Sequence, residues 1–491
     1  MKSIKIAYVL LLCLMASLIF SCAPSSNPIS DQSGQNANEA DEPGGEANLD
    51  PNTEEDEIDI SDDLPEDLDY GGYEFGIYTR ENSAFYQYII EEENGEILND
   101  VIYKRTRNVE DRLNILFSEI IYTDANAPQR LLLSGDDAYD IYNSRCSHAL
   151  NFWLEGLVAE IDDLPHINLD KPYWNKSANE SISLNKHQYV AIGAANISVY
   201  EFTYVLLFNK QMIKDFGLAS PYDLVNSGQW TIDKMDEFMK SAIADVDGNG
   251  IYDLSDRYGY VARNADVLPA FWIASGVRSV TKDQNDMPIF SVGDEKFINI
   301  FDKVYEIMWD NNAWYNKDKS PSANVPDTSI NLFMQSQSLF MDCQVSFIVE
   351  LRGMETDFGI IPYPKYDEQQ ESYYARGAFY DSFVVAKHNP DLVRTSAVIE
   401  ALNSESNKTV IPAYYETCLK TRTSRDEESE SMLDVIFDNL VIDLGDSIWV
   451  NKIRDAVFAG MFSGNNRNLV SKLESMEKSI QADIEKILNV E

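Results

Sequence analysis

The stretch YVLLFNKQMIKDFGLASPYDLVNSGQWTIDKMDEFMKSA, Tyr204 to Ala242, decides the reading of the chain around it. Its opening, with Thr203 in front, is a short continuous apolar run bounded by FNK and reads as a buried strand. Its close reads as a helix. Ile232, Met235, Met239, Ala242 and Ile243 recur on one helical face, and Thr231 stands where an N-cap belongs.

The same alternation continues outward. YEFGIYTR places Tyr73, Phe75 and Ile77 at every second position, as a strand does, and VIYKRTRNVEDRLNILFSEII reads as a helix running into a strand. DAYDIYNSR and QYVAIGAANIS are strand-like before the central stretch, and FGIIPYP, SFVVAK and the helical DLVRTSAVIEALNS follow it. Strands and helices in alternation predict an α/β body. The chain closes on LVSKLESMEKSIQADIEKILNV, where Leu469, Leu473, Met476, Ile480, Ile484, Ile487 and Leu488 fall three or four apart. It reads as a terminal helix docked on its own domain rather than as a partner helix.

At 491 residues the chain is long enough for two globular cores. With 39 Lys and Arg against 82 Asp and Glu, its net charge of -43 repels polyanions and argues against nucleic acid as a partner. The N-terminus reads as a targeting segment: Lys2 and Lys5 precede the 15-residue apolar run Ile6–Phe20, too short for a stable membrane span. The run ends in IFSC, which resembles the lipobox of bacterial lipoproteins. Residues 1–21 are then a signal peptide, and Cys22 is the lipidated first residue of the mature chain. Ala23 to Asp69 holds 16 acidic residues and no Lys or Arg, so residues 22–69 read as a disordered acidic tether. Cys146, Cys343 and Cys418 are widely spaced and fit neither a disulfide framework nor a metal site; they read as buried thiols, with one distant pair as the alternative.

DVDGNGIYDLSD, Asp245 to Asp256, matches the oxygen-ligand spacing of a calcium loop. Asp245, Asp247 and Asn249 take positions 1, 3 and 5, with Gly250 at the sharp turn in position 6. Ile251 offers its carbonyl at position 7, and Asp253 and Asp256 fill 9 and 12. Position 12 is Asp in place of the longer bidentate Glu. DRYGYVAR beyond it reads as a turn into a strand, so the loop is expected to be a structural calcium staple rather than a sensor.

In this order GDDAYDIYNSR, YVLLFNKQMIKDFGL, GQWTIDKMDEFMKSA, the acidic loop and METDFGIIPYPKYD resemble the extracellular solute-binding lipoproteins of bacterial ABC transporters, family 1, the sugar-binding type, over roughly residues 70 to 491. One departure is Ser336, in a turn where that family commonly has glycine. The resemblance implies a type II periplasmic-binding-protein-like fold of two α/β lobes with a ligand cleft between them. One lobe would comprise residues 70–195 and 357–403, the other 196–356 and 404–491, including the loop 245–256. It also implies a non-enzymatic, monomeric receptor on the extracytoplasmic face of the cell membrane, held there by its lipid. Lobe closure on a sugar or oligosaccharide would present the solute to a transporter permease.

Sugar sites combine aromatic rings with polar side chains, and strand ends line the cleft of such a fold. That criterion selects Tyr78 and Arg80, Asn143 and Arg145, Asn196 and Ser198, Trp272 as a stacking ring, and Arg376 with Tyr380. Trp230 reads as packing. Two other classes stay open: a surface glycoside hydrolase, for which a carboxylate pair suffices, and a calcium-stiffened surface adhesin. No G-x-S-x-G, H-E-x-x-H or Cys/His cluster supports other hydrolases.

Overall fold

The computed structural model describes residues 60–81, 88–315, 325–378, 381–415 and 426–489. Its strands are β1 (Tyr73–Arg80), β2 (Ile115–Tyr122), β3 (Ile141–Arg145), β4 (Tyr204–Asn209), β5 (Tyr258–Val261) and β6 (Val280–Lys282). They continue with β7 (Pro288–Phe290), β8 (Ser338–Gln344), β9 (Phe358–Ile361), β10 (Ala375–Arg376), β11 (Asp381–Val384) and β12 (Leu440–Val441).

Two four-stranded mixed sheets organise the molecule, in the orders β11-β3-β1-β2 and β5-β8-β4-β9. In the first, β1 runs parallel to β2 and β3, and β11 joins antiparallel. The alternation of YEFGIYTR is borne out: Phe75 and Ile77 are fully buried in a core shared with Val109 and Leu113 of the helix Ile97–Leu113 and Val398 and Leu402 of the helix Leu392–Ala413. The second sheet takes β4 at its centre, and all six residues of that strand are buried. The helix Ile232–Ala242 packs on it with Ile232, Met235, Met239 and Ala242 inward, and Thr231 Oγ1 accepts from the Lys234 N–H at 3.3 Å as the expected N-cap. Trp230 is packing: it has no exposed surface, and its Nε1 donates to the Pro362 carbonyl at 3.1 Å. The terminal helix Val470–Ile487 docks through Met476, Ile480, Ile484 and Ile487.

The chain passes between the sheets along adjacent segments. Asn196–Tyr204 and Ala375–Ala378 run side by side, joined by an antiparallel bridge of Thr203 to Gly377, and β10 pairs with β12. The helix Leu392–Ala413 lies in the first core and the helix Glu427–Asp438 against β9.

Three expectations change, and the departure at Ser336 is accounted for. The body begins earlier than residue 70: Leu64 is buried in the first core, Asp62 pairs with Arg112 at 2.7 Å and Asp63 with Lys171 at 2.7 Å, so cations on the body neutralise what reads as tether. β9, placed by sequence with the first lobe, hydrogen-bonds β4 in the second sheet; the chain joins the first sheet only at β11. QYVAIGAANIS forms isolated bridges rather than a ladder, because the Asn179 carboxamide takes the place of a neighbouring strand, accepting from Ile192 N at 2.7 Å and donating to Ile192 O at 3.1 Å. Finally, Ser336 adopts φ +57°, the left-handed conformation that favours glycine, and its hydroxyl accepts from Asn209 Nδ2 at 3.0 Å.

Candidate functional site

β1 and β3 end side by side at Arg80 and Arg145, and β11 starts opposite Arg145 at Asp381. Asp381, which sequence reasoning passed over, is where the chosen residues meet. Its carboxylate accepts from Arg80 Nη2 at 3.1 and 3.0 Å, its carbonyl from Asn196 Nδ2 at 2.7 Å, and its N–H donates to Ser198 Oγ at 3.1 Å. Burial and the like charge of Arg80 pull Arg145 below the usual guanidinium range. Asn143 is fully buried with no hydrogen-bond partner for either side-chain atom among the described residues. Tyr78 has its ring faces occupied, 4.7 Å from Tyr122 and 4.6 Å from Tyr139.

Facing this group stands a wall from the C-terminal part of the chain. Arg145, Ser147 and His148 line one side of a cavity of about 70 Å³, and Asp446, Ser447, Asn451 and Asp455 the other. At ~30 Å³ per water this holds about two waters. The two walls are therefore nearly in contact here, and a solute larger than that enters only if they part.

A second cavity, of about 120 Å³, opens at the carboxyl ends of the parallel strands β5 and β8. Open α/β sheets place ligands at such strand ends. Tyr204, Arg263, Asp266, Asp342, Gln344 and Phe347 line it, and Phe347 is an exposed ring at 38 %.

Arg376 ties the two cavities together. Only 1 % exposed, it donates to Asp446 from Nε at 2.5 Å and Nη2 at 3.0 Å and to Asp266 from Nη1 at 3.1 Å, and its guanidinium lies 4.0 Å from the centre of the Tyr204 ring. Arg454 reaches Asp446 at 3.2 Å. Burial opposes charge on Asp266, yet Arg376, Arg263 and Arg454 hold it below the usual carboxylate range. Asp342 is different: burial and the neighbouring Asp266 push it up to about 7.

Two nominated residues do not serve as proposed. Trp272 is 2 % exposed and wedged between Phe297 at 5.2 Å and Phe458 at 5.1 Å, because its helix is buried from Asp266 to Ala274; it is core rather than a stacking platform. Arg376 is spent on carboxylates instead of facing solute. Tyr380 and Cys22 lie outside the described residues, as does Cys418. Cys146 and Cys343 are buried, and the Cys343 thiol donates to the Gln344 carbonyl at 3.2 Å. The strand-end rule, carried a few residues further, reaches His148 after β3 and Phe347 after β8; nothing in sequence marks Asp446 or Asn451.

No protein-family model and no curated protein sequence matches the chain. Solved structures do. The sugar-binding protein MalE from Xanthomonas citri superposes with a TM-score of 0.59 at 12% identity, over 84% of this chain and 98% of its own. The cyclic alpha-maltosyl-1,6-maltose binding protein from Arthrobacter globiformis gives 0.58 at 12% identity, over 84% and 99%. An ABC substrate-binding protein from Listeria monocytogenes in complex with cycloalternan gives 0.55 at 12%, over 86% and 100%. The chain has the two-lobe type II periplasmic-binding-protein fold. In that fold the segments Asn196–Tyr204 and Ala375–Ala378 lie where the chain crosses between lobes, and both cavities sit beside them.

The acidic loop lies apart from these cavities. Reciprocal backbone bonds between Ala244 and Arg257, both 3.0 Å, close its ends. Asp245 accepts from the N–H of Gly248 at 2.8 Å and Gly250 at 2.8 Å, with Gly248 and Gly250 at φ +71° and +78°. Carboxylate oxygens of Asp245, Asp247 and Asp256 come within 4.8 Å of one another. Asn249 and Asp253 are turned to local partners, Ile251 N–H at 2.6 Å and Ser255 N–H at 2.8 Å. Among the described residues no helix is long and apolar enough to cross a membrane.

Proposed function

We propose that the chain is a membrane-anchored extracellular receptor that captures a carbohydrate by lobe closure and delivers it to an ABC transporter permease, with no chemistry of its own. The observation that carries this reading is the cleft itself, where hydrogen-bonding side chains from both lobes converge beside paired crossover segments. The names of the matched structures, sugar-binding and maltodextrin-type proteins, support the solute class. The apolar run, Cys22 and the acidic stretch after it support a lipid anchor at the cell membrane, with the body held on the extracytoplasmic face.

Purified protein lacking residues 1–59 is expected to unfold at higher temperature with a cognate saccharide. The gain is about 2.7 kcal/mol at one hundred times Kd. Small-angle scattering should show compaction on binding, and labelled oligosaccharides should be recovered intact. A broad oligosaccharide panel that produces no thermal shift sinks the carbohydrate reading.

The acidic loop takes a structural calcium, held by Asp245, Asp247, Asn249, the Ile251 carbonyl, Asp253 and Asp256. Its support is the convergence of three carboxylates around left-handed glycines. Calcium is expected to stabilise the native protein, and Asp245→Ala with Asp247→Ala to abolish that gain in a chelator-controlled melt while solute affinity stays within twofold. Loss of solute binding in the folded double variant would refute the staple role.

A further inference from the structure

The cavity at the ends of β5 and β8 holds two carboxylates whose surroundings differ. Asp266 is matched by Arg376 at 3.1 Å and by Arg263 at 3.6 Å. Asp342 has no cation in contact among the described residues; its hydrogen bond comes from the Tyr363 hydroxyl, which in turn meets Tyr260 at 2.8 Å. Asp342 is half-buried and faces the cavity, and Phe347 stands at the rim with its ring exposed. A half-buried carboxylate with no cation in contact, its nearest arginines Arg263 and Arg376 being engaged by Asp266, shares the cavity with an exposed ring, and the two together can receive an ammonium group: the carboxylate through a charge-assisted hydrogen bond, the ring through its negative face. The cavity's 120 Å³ suits one such group with part of a ring rather than an oligomer. The net charge of -43 draws cations toward the molecule from solution.

We propose that this cavity is the subsite for a protonated amino group, so that the captured solute is an amino sugar or an oligomer of one. The proposal rests on the carbohydrate-receptor reading and narrows its substrate class. Asp342 is the specificity-determining residue, and Phe347 the platform beside it. The charged groups that face Asp342 are Asp266, Arg263 and Arg376, with Tyr363, Tyr260 and Tyr204 as neighbouring hydroxyls and Cys343 beside it. The upward push on Asp342 fits a charge whose partner arrives with the ligand.

Glucosamine and its short oligomers, N-acetylglucosamine oligomers and glucose oligomers of equal length are compared by calorimetry and thermal shift at neutral pH. The free-amine series is expected to bind at least tenfold more tightly than either neutral series, with the preference weakening as salt is raised. Asp342→Asn is expected to remove the preference, and Phe347→Ala, at an exposed position, to weaken the amine series at least tenfold with the fold intact. Equal affinity across the three series, or a preference that survives Asp342→Asn, overturns the amino-group subsite and leaves the receptor reading standing. If no series shifts the protein, the amino-group subsite falls, and the receptor reading falls with it only when the broad oligosaccharide panel is silent as well.

Discussion

Arg376→Met is expected to lower the folding stability by about 3–5 kcal/mol, the range for breaking a buried ion pair from one side. Methionine keeps the apolar stem but not the guanidinium, so the loss combines the missing charge with the space that group filled. Asp446, 1 % exposed, keeps Arg454 at 3.2 Å, but Asp266, also 1 % exposed, keeps Arg263 at 3.6 Å as its one contacting cation among the described residues, with the Tyr204 hydroxyl donating at 3.1 Å. Tyr204 loses the guanidinium stacked on its ring. Arg376→Lys is expected to recover less than half, because an ammonium reaches one carboxylate where the planar fork reaches two. The measurement is the midpoint of denaturant unfolding at unchanged slope. A shift worth less than about 1 kcal/mol would show that the cluster is wet and screened, as surface pairs are. Because Arg376 joins the walls of both cavities, the folded fraction of the variant is also expected to bind solute more weakly.

How much of this was legible in the sequence follows from the range of the interactions concerned. Thr231 caps a helix three residues away and Phe75 and Ile77 repeat along one strand, so both show locally. The position of Ser336 reports a backbone requirement, which is why a glycine is the commoner choice there. The cleft differs, because its partners are remote: Arg80 and Asp381 are 301 residues apart, Arg376 and Asp266 are 110 apart. An arginine in sequence carries no sign of whether its carboxylate is already in the protein. Arg376 and Trp272 were therefore chosen for chemistry that the fold directs inward, and Asp381 was overlooked because its role depends on strand pairing. The acidic stretch misled for a related reason. Asp62 and Asp63 look solvated until Arg112 and Lys171 are placed beside them.

Glu201→Gln is expected to stabilise the protein at pH 8 by about 4 kcal/mol and to do little at pH 4. Glu201 lies in the first crossover, 4 % exposed, with its Oε2 unpartnered among the described residues. Burial pushes its carboxyl from 4.5 up to about 7, with the Tyr414 hydroxyl only partly offsetting this. In the unfolded chain the same group ionises near ~4.3. The native state therefore holds the proton more tightly, and its stability falls as pH rises from the unfolded value through the folded one. At about 1.4 kcal/mol for each tenfold in proton affinity, that interval corresponds to about 4 kcal/mol. Glu400, raised by burial to about 7, and Asp443, raised by burial to about 6, act in the same direction, so the wild-type protein is expected to melt at higher temperature at pH 5.5 than at pH 8. Glutamine keeps the shape, carries no charge, and removes the contribution of Glu201 alone, so the variant's profile should be flatter without being level. A profile for Glu201→Gln parallel to the wild type's would mean that Glu201 is already hydrated in the native crossover and ionises there as it does in water.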